Sequence, residues 1–174
     1  MSLLPSLGHD LEHTSGLLDA CRSIADAQSV SALQRQVDRW LARAYAPAAW
    51  IIACTPHAAD APLIAMHSGA PDDLLPPMAV PLDVGSTMNG KLQLFFHNQR
   101  PTTIELIEQH EAVLSVLAHK LRHLCSQLQS LAQTAELLFM RSLLHGEHIV
   151  DRNLDTLAST LLEQLNVSSI HVLI

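Results

Sequence analysis

The stretch AVPLDVGSTMNGKLQLFF, residues Ala79–Phe96, decides how the chain is read. Two apolar runs flank a turn-rich segment holding Gly85, Ser86, Asn89 and Gly90. Apolar residues bounded by such turn formers predict an antiparallel hairpin. Just upstream, AAWIIACT (Ala48–Thr55) reads as a buried strand and PLIAMHS (Pro62–Ser68) as its hairpin partner, joined by a polar turn. The expected sheet is therefore antiparallel and built from Ala48–Thr55, Pro62–Ser68, Met78–Val84 and Lys91–His97.

Helices are expected before and after these strands in the chain. Leu11, Thr14, Leu17, Leu18, Cys21, Ile24 and Ala25 recur at steps of three and four, which predicts a helix over Asp10–Ala27. A second helix starts near Ser31, which has capping-box spacing to Gln34. Its apolar stripe is Leu33, Val37, Trp40, Leu41 and Ala44, and Pro47 ends it. After NQRP, Thr102 or Thr103 can cap a long helix running from Ile104 to Leu144. Leu114, Leu117, Leu121, Leu124, Leu128, Leu131 and Leu138, with Ala135, alternate in steps of three and four along it. That is an a/d heptad seam, expected to serve as the interface of a homodimer. Each leucine stabilises by roughly 1.5–3 kcal/mol when fully buried, so the stripe needs a partner. Charges placed together at Leu121 and Leu128 are expected to give folded monomers.

A helix–loop–strand pattern begins twice. ALQRQVDRWLARAYAPAAWIIA starts at Ala32 and NLDTLASTLLEQLNVSSIHVLI at Asn153. Leu33 corresponds to Leu154, Leu41 to Leu162, and Trp50–Ile52 to His171–Leu173. The chain is thus divided into an N-terminal helix (1–28), a sheet domain (29–111), a closing coiled-coil helix (112–145) and the start of a second similar domain (146–174).

Composition narrows the function. The chain has 174 residues, 48% apolar and 16% charged, so it can bury a core. Its formal net charge is −7 with no block of Lys or Arg, which argues against a nucleic-acid surface. No apolar run reaches the roughly 20 residues of a membrane helix. Cys21, Cys54 and Cys125 are widely spaced in apolar surroundings, as in a reduced, cytoplasmic protein.

The order of elements resembles a GAF domain over about Leu17–Leu131. The residues carrying the resemblance are Val80-Pro81-Leu82, Gly85, Gly90-Lys91-Leu92 and the AVLSVLAHKL helix from Ala112. The resemblance implies a cytosolic sensory module of α/β (α+β) class, an antiparallel sheet with helices packed on it. One departure is the short, Pro-rich segment Gly69–Pro77, where family members carry longer elements that wall the ligand. No enclosed pocket is expected there.

Candidate chemistry is sparse. His119 lies in LAHKLRHL, which partly matches the phosphoacceptor box of histidine kinases, but Lys120 follows instead of an acid and no Pro is near. His119 and His123, His9 and His13, and His145 and His148 have spacings that suit Zn²⁺, yet with eleven histidines such pairs arise by chance. No catalytic residues, metal or cofactor are expected. The leading expectation is a non-enzymatic regulatory and dimerisation module of a bacterial signalling protein, acting on a downstream output domain through its helix. One alternative is a sensor holding a cyclic nucleotide or other metabolite under Trp50, Met66 and His67. Another is a fragment of a histidine kinase.

Overall fold

The computed structural model describes residues 4–71, 75–97 and 101–145, with side chains for 14–71, 75–97, 101–137 and 140. Helices α1 (Leu4–Ala25) and α2 (Val30–Ala44) precede strands β1 (Ala49–Pro56), β2 (Ile64–Ser68), β3 (Met78–Leu82) and β4 (Met88–Phe95). Helix α3 (Thr103–His145) closes the chain. The expected second-domain start, 146–174, lies outside the described residues, as do Asp72–Leu74 within the Pro-rich segment and the side chain of Leu138.

The four strands form one antiparallel sheet in the order β2-β1-β4-β3. Ile52 stands opposite Met66 on one side and Leu92 on the other, and Leu92 opposite Val80. Because side chains alternate along a strand, this row and its neighbours Trp50, Cys54, Ile64, Leu82 and Leu94 share one face. All are buried. The other face exposes Ala65, His67, Ala79, Pro81, Asn89 and Lys91.

The β3–β4 turn explains two glycines. Gly85 has φ +107, a left-handed conformation that favours glycine, and its N–H donates to the Asp83 carboxylate at 3.2 Å. A Cβ on Gly90 would lie 2.7 Å from the Leu82 carbonyl oxygen and 2.7 Å from Val84 Cγ2, so only glycine lets the two strands close here.

The helix caps differ in part from expectation. The N-cap of α2 is Ser29, not Ser31. Ser29 is extended (φ −143°, ψ 163°) and its Oγ accepts from the Ala32 N–H at 3.1 Å. Gln34 takes no part in a capping box, and its Nε2 donates to the His67 carbonyl of β2 at 2.7 Å. Beyond the end of α2, Ala46 turns left-handed (φ 43°) ahead of Pro47. At α3 the cap is reciprocal. The Glu105 N–H donates to Thr102 Oγ1 at 3.2 Å, and the Thr102 N–H donates to the Glu105 carboxylate at 2.8 Å.

Two helices cover the buried sheet face. α2 lies over β2 and β1, where the Trp50 indole N–H donates to Asp38 Oδ1 at 3.0 Å. α3 lies beside β3, tied by an Arg122–Asp83 ion pair of 3.0 Å, with Gln129 Nε2 3.5 Å from Met88 Sδ. α1 packs on α2 and α3 as an outer layer. Its last residues sit beside the middle of α3, where Lys120 Nζ donates to the Ala25 carbonyl at 3.0 Å. The end of α2 sits beside the start of α3, where the Trp40 indole N–H donates to His110 Nδ1 at 3.3 Å. α2 thus runs back along α3, and α1, joined to α2 by a tight turn, runs with α3. Ile24, Leu41, Leu92 and Leu121 belong to one contiguous core that links all these elements.

Candidate functional site

The leucine row of α3 meets two environments. Leu117 and Leu121 are completely buried, and Leu114 and Leu124 nearly so, all within the chain's own core. These four side chains are taken up by the chain's own core, which leaves little or none of their surface for the seam expected of them. The physical reason is that α1 and the β3–β4 half of the sheet together flank this part of α3 and cover its stripe. Leu128 and Leu131 are only half-buried, as is Ala135. Beyond them Leu137 is 70% and Met140 53% exposed. Along the heptad row the apolar surface left on α3 is therefore distal; off the row, Ile104 and Ile107 are exposed at its start.

The three residues expected to hold a small molecule are not brought together. Trp50 and Met66 are buried on the helix-covered face, packed in the core. His67 follows Met66 in β2, points to the other face and is exposed. Trp50 is further anchored by its bond to Asp38. The residues form part of the core and one open surface, with no shared cavity.

A buried histidine, His110, marks a break in α3. Its backbone (φ −123°, ψ 19°) is not helical, and the helix kinks there. The residue is 4% exposed, and its ring centre lies 5.6 Å from that of Trp40 and 5.0 Å from that of Tyr45, the latter edge-on. With Trp40 donating to Nδ1, that nitrogen acts as acceptor. Tyr45 Oη in turn bonds the neighbouring Gln109 Oε1 at 3.2 Å. Burial, and secondarily the Glu105 charge, push the Tyr45 phenol up, so it stays protonated at neutral pH. This cluster joins positions seventy residues apart, and periodicity alone carries no signal of such a pair.

Cys21 and Cys54 are poor nucleophiles, whereas the hydrogen bond shared with Cys54 pulls the Cys125 thiol down. Cys54 on β1 and Cys125 on α3 are both free and buried. A thiol–thiol hydrogen bond to Cys125, reinforced by burial, pushes the Cys54 ionisation far up. Burial raises Cys21 too. His119 and His123 are exposed on α3, as are His67 on β2 and His97 just past β4. Among the described residues no group of three His, Cys, Asp or Glu side chains is placed to hold a metal ion. Among the same residues no helix is long and apolar enough to cross a membrane.

Two clefts flank α3. One, of about 330 Å³, lies between β3 and α3 beside Pro81, Ile107 and Glu111. The larger, about 420 Å³, opens between α1 and α2 at the α3 kink, with His110 and Trp40 in its lining. Its rim carries Arg22, Arg39 and Arg43. A search for a contiguous basic block passes over these residues. The available signal is Arg35, Arg39 and Arg43 at steps of four, which line up along one side of a helix. Comparison with known protein families, curated proteins and solved structures finds no match to the chain.

Proposed function

We propose that the chain is a non-enzymatic, GAF-like regulatory and dimerisation module of a signalling protein of bacterial type, relaying change through helices. One observation carries this reading. α1 and α3 run in the same direction on one side of the sheet, and α3 continues past the core with apolar side chains uncovered. At about 1.5 Å per residue, the 43 residues of α3 span about 65 Å, far more than the sheet needs. Two such helices pair through Leu128, Leu131 and Ala135, beyond the part enclosed by the chain itself. A shift of the sheet domain against α1 moves the base of α3, and the paired distal helices carry that movement to an output domain. Parallel pairing sends both outputs from the same end.

A cysteine at the distal seam tests both the pairing and its direction. In Ala135→Cys, mild oxidation is expected to yield a disulfide-linked dimer, because equivalent residues face each other only in parallel pairing. A monomeric product whose introduced thiol stays freely accessible rejects the relay as proposed.

A further inference from the structure

The chain is acidic overall, with 17 Asp and Glu against 10 Lys and Arg. The cleft between α1 and α2 reverses that balance. Its lining holds three arginines, Arg22, Arg39 and Arg43, and one carboxylate, Asp19. All three arginines are exposed, and among the described residues none is ion-paired. Arg39 Nη1 donates to Gln36 Oε1 at 3.2 Å, a neutral partner that leaves its charge unbalanced. Arg39 and Arg43 are one turn apart on α2, and Arg22 approaches from α1. Beneath them the lining turns apolar and aromatic, with half-buried Leu17 and Ala20 and buried Trp40.

We propose that this cleft binds a small organic oxyanion, a phosphate or carboxylate group joined to a flat apolar body. Guanidinium groups match such anions with paired N–H donors. Trp40, Leu17 and Ala20 give the body a surface from which water is displaced. The volume, about 420 Å³, suits one ring with its substituents. The site draws on both outer helices and on His110 at the α3 kink, so an occupant bridges α1 to α2 where α3 bends. It lies among the helices, away from the open face of the sheet.

Calorimetric titration of the wild-type chain with phenyl phosphate, benzoate and inorganic phosphate tests this at constant ionic strength. Binding by phenyl phosphate or benzoate is expected to saturate with a Kd below about 1 mM, and the stronger of the two identifies the head group. Inorganic phosphate, lacking the apolar body, binds more weakly. Arg39→Gln with Arg43→Gln is expected to weaken binding at least about tenfold. These side chains are exposed, so the fold tolerates the change. Arg122→Gln, on the other side of α3, leaves binding intact. In Trp50→Phe, Trp40 becomes the sole indole and its emission follows the same saturation curve. Absence of saturation with both aromatic probes, or equal binding by the double variant, overturns the proposal. Binding is read without reference to self-association, so its outcome is independent of the relay.

Discussion

The two halves of α3 carry the same heptad row and meet different surroundings. As far as Cys125, its leucines are enclosed by α1 and the sheet of the same chain. From Leu128 on, the row is half-open, and Leu137 and Met140 lie uncovered. An a/d pattern states that a helix has an apolar stripe. It does not state whose atoms cover it. The first half behaves as core and the second as surface, so equal substitutions in the two halves are expected to have opposite readouts.

The largest effect belongs to the enclosed half. Leu121→Ala leaves a cavity at a fully buried site and is expected to cost about 2–5 kcal/mol in denaturant unfolding. Leu121→Asp places a carboxylate in the same position and is expected to abolish the cooperative transition, instead of giving the folded monomer that the heptad reading implies. If Leu121→Asp melts like wild type, the enclosure of this half is wrong. Next in size is Gly90→Ala, which pushes the β3–β4 turn apart beneath α3. A loss of about 1–3 kcal/mol is expected, since the obstructing Leu82 carbonyl is backbone and cannot move aside cheaply.

The start of the enclosed half rests on its cap. Thr102→Ala is expected to cost about 1 kcal/mol, measured by thermal melting. The Glu105 carboxyl is held below its ordinary value first by the Thr102 backbone N–H and then by the Thr102 hydroxyl. A lowered folded pKa means the carboxylate stabilises the cap above the ordinary glutamate range. That contribution is lost as pH falls through the lowered value. In Thr102→Ala the Glu105 N–H loses its Oγ1 acceptor at every pH. The difference from wild type is therefore expected to narrow under acid, as the hydroxyl–carboxylate bond is lost, without vanishing. A difference that does not change with pH would separate the Glu105 carboxylate from the Thr102 hydroxyl. The smallest effect is a gain. Ala46→Gly relieves a left-handed alanine after α2 and is expected to stabilise by about 0.5–1 kcal/mol.

Much of the fold is legible in the sequence. The β3–β4 hairpin follows from apolar runs around Gly85 and Gly90, and α2 from Leu33, Val37, Trp40 and Leu41 at helical steps. These are local signals, carried by period and turn chemistry. The cap of α2 falls two residues before the expected Ser31, because Ser29 and Ser31 are chemically equal candidates. Only backbone geometry separates them. Grouping His67 with Met66 fails because adjacent strand residues face opposite ways, a miss the alternation rule could have prevented. The Trp40–His110 contact and the arginine cleft are not legible, because each needs the packing of separate helices. The partner of the leucine row is illegible for the same reason.

Sedimentation velocity at micromolar concentration, with thermal melting of the same samples, tests the central claim most directly. Wild type is expected to be a dimer, and Leu131→Asp a monomer whose stability stays within about 1 kcal/mol of the isolated wild-type fold. That pairing of results assigns the distal row to self-association and the proximal row to the core. A wild-type chain that sediments as a monomer, or a Leu131→Asp variant that remains dimeric, contradicts the account.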